Sequence, residues 1–209
     1  EKIAIGKIPI MLKSSICILN QYNSLNGQQT GECKMDPGGY FIINGSEKTC
    51  LGQEKAGDNK IYVFKSKEGG KWCHVAEMRC VPSKKVISPK QIYMMISSKQ
   101  EKFGRPIFVQ IPKLKKPISL FILFRAMGVI SDKEICKYIL LDIKKDENIP
   151  LLTFLKGSIE LAENYPTQDD CINYIKTNVM YTPINMGPDE GEQKKKAFAI
   201  DILNNDLFP

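Results

Sequence analysis

The chain has 209 residues, 43% hydrophobic and 25% charged, with a formal net charge of +7. That is ordinary for a soluble globular protein of one large or two small domains. The longest apolar run, Ile118–Phe124, is too short to cross a bilayer. Arginine supplies only three of the 30 basic residues, Arg79, Arg105 and Arg125. This argues against a module that reads bases through bidentate guanidinium contacts, and leaves weak, salt-sensitive phosphate contact as what the lysines can offer. The N-terminus shows no secretion pattern and no initiator methionine, and the chain stops abruptly at Leu207-Phe208-Pro209, so a piece of a longer protein is expected.

In chain order, the first half reads as strands. Ile3–Leu12 alternates and contains Pro9, which fits an edge strand. After a polar loop over Asn20–Thr30, with an Asn-Gly pair at 26–27, comes the stretch Gly31–Lys48, G-E-C-K-M-D-P-G-G-Y-F-I-I-N-G-S-E-K. Pro37-Gly38-Gly39 breaks regular structure, Tyr40–Ile43 is of strand type, and Asn44-Gly45 is the dipeptide of a type I′ hairpin turn. Ile61–Phe64, Cys73–Met78, Gln91–Ile96 and Ile107–Ile111 follow as short strands, divided by Gly69-Gly70, Pro82, Pro89 and the segment Lys99–Pro106.

The second half reads as helices. Ile118–Met127 is apolar almost all round, hence a buried helix, with Gly128 to end it. Ser131-Asp132-Lys133-Glu134 predicts a capping box before Ile135, Tyr138, Ile139 and Ile143. Pro150 suits the first turn of a helix carrying Leu151, Leu152, Leu155 and Ile159. Thr167 is placed to cap a helix with Asp169 and Asp170 in its first turn, and Glu190–Leu203 forms the last. Strands followed by helices predict an α+β fold, a β-rich N-terminal half and a helical C-terminal half. The polar stretch Glu54–Lys60 gives the internal boundary, dividing the chain into 1–57 and 58–209.

Catalytic chemistry finds little support. His74 is the only histidine, and its neighbour Cys73 would point to the opposite face of a strand, so a Cys-His dyad is geometrically poor. The seven cysteines include no C-x-x-C pair, which argues against a zinc knuckle and for reduced, structural thiols. Acidic pairs sit where helices begin, where the helix dipole accounts for them. No phosphate-loop or dinucleotide glycine motif occurs. Lysine clusters stand at Lys84-Lys85, at Lys113, Lys115 and Lys116, at Lys144-Lys145 and at Lys194–Lys196. The first two, Lys84, Lys85, Lys113, Lys115 and Lys116, are the candidates for nucleic-acid contact.

The Gly31–Lys48 string resembles a signature near the front of the second-largest subunit of multisubunit DNA-directed RNA polymerases. Further matches follow in the same order. Ile5–Ser14 is similar to the segment before the signature, Gln53-Glu54 to a Q-E pair after it, and His74–Arg79 to a family strand. Pro117–Glu134 resembles a helix, glycine stop and capped helix of the family, and Ala199–Pro209 the end of the same region. Thr49-Cys50-Leu51-Gly52 departs from the more apolar run usual there, which implies a less buried strand. The likeness, to eukaryotic, archaeal and large-DNA-virus enzymes, covers the whole chain. It implies the protrusion and lobe, protrusion over 1–57 and lobe over 58–209. The implied role is a wall of the DNA cleft and a docking surface, active only within the holoenzyme and not itself catalytic. It further implies no cofactor in this stretch, with magnesium and zinc held elsewhere in the holoenzyme. The implied partners are the largest and small subunits, initiation factors and weakly held double-stranded DNA, with no membrane. Loops rich in lysine and asparagine favour a large cytoplasmic DNA virus, in host cytoplasm or virion, over a nuclear enzyme. The competing expectation is a stand-alone, non-specific nucleic-acid-binding protein.

Overall fold

The computed structural model describes residues 2–21, 29, 31–84, 86–184 and 187–208. Its contacts divide the chain into two compact units, Glu1–Ala56 and Gly57–Pro209.

The first unit holds a single helical turn, α1 (Ile18–Gln21), and a hairpin of β1 (Phe41–Ile43) and β2 (Ser46–Lys48). The turn residues Asn44 and Gly45 have φ of 52° and 78°, the two positive values that a type I′ turn demands and that Asn-Gly supplies at least strain. The Asn-Gly pair at 26–27 lies outside the described residues. The strand expected over Ile3–Leu12 does not form: residues 2–11 carry no regular structure, and Ile3, Ile5 and Ile8 are exposed. Alternation makes a strand only where a neighbour completes the ladder and something covers the apolar face. Here Leu12 pairs with the chain beyond the segment, donating to Tyr40 O and accepting from Gly39 N, while Met11 O accepts only a local turn bond from Ser14 N.

The second unit is an antiparallel five-stranded meander followed by helices. The strands β3 (Ile61–Lys65), β4 (Trp72–Cys80), β5 (Lys90–Ser97), β6 (Ile107–Gln110) and β7 (Ile118–Ser119) lie side by side in chain order. The register sets Val63, Ala76, Met94, Val109 and Ile118 in one row on one face. Exposure falls along that row from 68% at Val63 through 42% at Met94 to 2% and 0% at Val109 and Ile118. The helices therefore cover the β6–β7 end of this face and leave the β3 end bare.

Five helices follow: α2 (Leu120–Ala126), α3 (Asp132–Leu140), α4 (Ile149–Ala162), α5 (Gln168–Thr177) and α6 (Pro188–Asp201). A 3₁₀ turn, Asp146–Asn148, leads into α4, and a π turn, Ile202–Asp206, closes α6. Antiparallel strands first and helices after make the α+β fold that the element order predicts. The helix expected over Ile118–Met127 begins two residues late, because Ile118 and Ser119 pair with Val109 and Phe108 as the last strand. Both the strand and α2 are buried, which is why the run is apolar on every side. Gly128, at φ 103°, ends α2 and donates its N–H to Arg125 O.

The capping box expected at Ser131 is absent: Ser131 makes no side-chain cap bond, and the Asp132 carboxylate instead receives Arg125 at 2.7 Å. Arg125 is 6% exposed and also donates to the carbonyls of Ala162 and Tyr165 at 2.5 and 2.8 Å, which ties α2 to the end of α4. A buried guanidinium requires such partners. The complete capping box stands at Thr167, whose hydroxyl accepts from Asp170 N at 3.2 Å while the Asp170 carboxylate accepts from Thr167 N at 3.3 Å.

Candidate nucleic-acid interface

The expected lysines occupy different settings. Lys84 is exposed in the bend between β4 and β5, and Lys85 lies outside the described residues. Lys113, Lys115 and Lys116 share the connection from β6 to β7. That loop is fastened to the end of α5: Lys115 N donates to Asn178 O and Met180 N donates to Lys113 O, both at 2.8 Å. Lys113 adopts a left-handed φ of 65°. Its ammonium is taken up internally, 2.6 Å from Asp206 Oδ2 and over the Phe198 ring. Asp206 is 3% exposed and also meets Lys90 of β5 at 2.8 Å. Lys113 is thus the outer half of a clasp, closed on buried Asp206, between the β6–β7 loop, β5 and the chain's last turn.

Lys115 and Lys116 are exposed and flank different hollows. Lys115 stands beside Lys176, Lys195 and Glu192. Lys116 stands at the edge of a pocket of about 540 Å³, between the ends of β4 and β5 and the helix α4. Trp72 and Phe108 line its floor, their ring centroids 5.5 Å apart and tilted by 59°. Lys71 Nζ lies 4.8 Å from the Trp72 centroid, within cation–π range. Sequence reasoning missed this group. The signal for it is Gly69-Gly70-Lys71-Trp72, a turn that delivers the only tryptophan of the chain to a strand end.

The run Lys194–Lys196 is paired with carboxylates on the surface. Lys194 pairs with Glu190 at 3.4 Å, Lys195 with Glu192 at 3.0 Å and Lys196 with Asp169 at 2.9 Å. Lys176 adds a second cation to Glu192 at 2.8 Å. Hydrogen bonds from Lys176 and then Lys195 hold the Glu192 carboxyl below its ordinary value.

No nucleophile is assembled at Cys73 and His74. The Cys73 thiol faces the carbonyl oxygens of Ile96 and Ser97 at 3.5 and 3.6 Å, and His74 is exposed on β4 opposite Ile96 and Lys65. Among the described residues, no three His, Cys, Asp or Glu side chains converge as a metal site would require. No helix among them is long and apolar enough to cross a membrane.

The second unit is thus an α+β module, a meander followed by helices, with lysines on its loops. The family model described as RNA polymerase beta subunit matches residues 1–198. The chain is 33% identical over 212 residues to DNA-directed RNA polymerase II subunit 2 of Arabidopsis thaliana. It is 35% identical over 211 residues to DNA-directed RNA polymerase II subunit RPB2 of Schizosaccharomyces pombe. Both alignments take in 100% of the chain and 17% of the relative. It is also 32% identical over 180 residues to DNA-directed RNA polymerase subunit Rpo2 of Saccharolobus solfataricus, across 86% of the chain and 15% of that protein. The chain belongs to the RNA polymerase beta-subunit family, as a second-largest subunit of eukaryotic and archaeal type. It spans about a sixth of the length of these relatives.

Proposed function

We propose that this stretch is the protrusion-and-lobe part of its subunit, a non-catalytic wall of the DNA cleft and a docking surface for other subunits and initiation factors. The observation that carries the reading is the likeness to second-largest subunits over the whole length of the chain. Nucleotidyl transfer belongs to the assembled enzyme, and this piece alone is inactive. Magnesium and zinc are held by other parts of the holoenzyme. DNA contact is weak, non-specific and made through phosphates, because phosphate contacts position a duplex without reading it.

Of the expected lysines, Lys84, Lys115 and Lys116 offer exposed ammonium groups for that contact. Lys113 contributes by fixing the loop that carries two of them. The eukaryotic relatives named above are RNA polymerase II subunits, which supports the nucleus over the viral cytoplasm that the loop composition favoured.

Charge reversal at Lys84 and Lys115 in the assembled polymerase tests the cleft wall. Duplex affinity should weaken equally for unrelated sequences, and the slope of log K against log salt should become shallower by about one for each phosphate that is no longer neutralised. An unchanged slope would remove these lysines from the cleft. Extending the coding sequence tests the rest: it should run on into a zinc-binding C-terminal region.

A further inference from the structure

The pocket beside β4 has a composition that duplex contact does not explain. Its floor is apolar, formed by Trp72, Phe108, Pro117 and Leu161. Its rim is basic, with Lys71, Lys99 and Lys116, and the rim's one carboxylate, Glu101, is already matched by Lys99 at 3.4 Å. We propose that this pocket receives a short acidic peptide segment of a partner protein, one apolar side chain seated on Trp72 and flanking aspartates or glutamates meeting Lys71 and Lys116. The inference rests on the docking half of the function proposed above and names the chemistry of the partner.

Two features favour a peptide over a nucleobase. The Trp72 and Phe108 rings are inclined at 59° and do not form the parallel walls between which a planar base would stack. The remaining apolar lining is proline and leucine, which suit an aliphatic or aromatic side chain, with Ser97 and Ser98 beside them. The surplus of two unmatched ammonium groups on the rim sets the sign of the partner's charge. A tryptophan at the centre of such a pocket, ringed by charges, is the usual layout of an interface hot spot.

The test uses the assembled polymerase and a fluorescein-labelled peptide of aspartates and glutamates around a Leu-Phe pair, followed by anisotropy. The same peptide with Ser-Ser in place of Leu-Phe, and a single-stranded oligonucleotide of equal charge, serve as competitors. The Leu-Phe peptide should bind, and Trp72→Ala should weaken it by about tenfold or more. The exposed-residue variant Lys71→Glu, which leaves the apolar floor in place, should weaken it too, and neither competitor should displace it at equal concentration. Equal binding of the Ser-Ser peptide would overturn the proposal by reducing it to bulk charge attraction. Displacement by the oligonucleotide would overturn it in favour of nucleic acid, and absence of binding to the polymerase would overturn it outright. Failure here leaves the duplex salt slope at Lys84 and Lys115 untouched, so it is distinguishable from failure of the cleft-wall reading.

Discussion

Asp206 is nearly buried, yet its carboxyl lies below its ordinary value of 3.8. Burial by itself pushes the group up; the ammonium groups of Lys113 and Lys90 outweigh it. A depressed carboxylate stabilises the fold fully above its unfolded value, and that contribution is lost as pH falls through the folded one. Stability of the second unit should therefore drop on acidification below about pH 4, and Asp206→Asn should abolish that component. At neutral pH the substitution leaves two lysines without their shared anion and should cost about 3 kcal/mol, at the low end for a broken buried pair because both lysines reach solvent. Urea unfolding followed by the fluorescence of Trp72, which reports on this unit, measures both effects. The cysteines make a second prediction. Burial raises the thiols of Cys80, Cys136 and Cys171, with the Asp132 charge adding to the effect at Cys136, while Cys33 and Cys50 are exposed. Native labelling with a disulfide reagent and mass mapping should modify Cys33 and Cys50 first and the three buried thiols only on unfolding.

At the scale of elements, the two threonine and serine caps separate cleanly. Thr167→Ala removes a formed capping box and should cost about 1 kcal/mol, whereas Ser131→Ala removes no cap bond and should stay within about 0.5 kcal/mol. Equal losses in the same unfolding assay would contradict the assignment. The Pro37-Gly38-Gly39 turn is the tightest element of the first unit. Gly38 has φ 69°, and a Cβ there would lie 2.7 Å from Leu12 O and 2.8 Å from Lys13 Cβ. Gly38→Ala should therefore loosen the pairing of Leu12 with Tyr40, seen as faster amide exchange at Leu12 and Gly39. Asp36 ties the same turn, accepting from Gly38 N at 2.8 Å and from the Tyr40 hydroxyl at 2.5 Å. The hydrogen bond to Asp36 is the largest cause that pushes the Tyr40 phenol up to about 12 from 10.0. A raised phenol stabilises the fold fully below pH 10, and that stabilisation fades as pH rises through about 12. An alkaline absorbance titration should lose its latest-ionising tyrosine in Tyr40→Phe.

For the whole molecule, the decisive quantity is where surplus positive charge remains after internal pairing. The formal charge is +7, but the α6 lysines and Lys113 are met by carboxylates. Lys84, Lys115 and Lys116, on loops of the sheet, are among the many lysines that stay exposed. The shallower salt slope expected on reversing Lys84 and Lys115 is the whole-molecule consequence. The same reversal at Lys194, already paired along its own helix, should move that slope much less.

The α+β order, the type I′ hairpin, four of the strands and the Pro150 and Thr167 helix starts were legible because each depends on local chemistry: a dipeptide, a fixed φ, a cap, a period. The edge strand at Ile3–Leu12 and the cap at Ser131 were not, since one needs a ladder partner and the other a side-chain orientation that the local sequence does not fix. The site divides the same way. The ordered string of motifs pointed to the family by resemblance, and composition marked the lysine loops, because charge and short-range pattern survive without coordinates. Only the tertiary structure decided that Lys113 is bound to Asp206, that Lys116 borders an aromatic pocket and that Trp72 meets Phe108 and Lys71. Apart from the adjacent Lys71 and Trp72, those pairings join residues far apart in the chain, and only sheet register and helix packing bring them together.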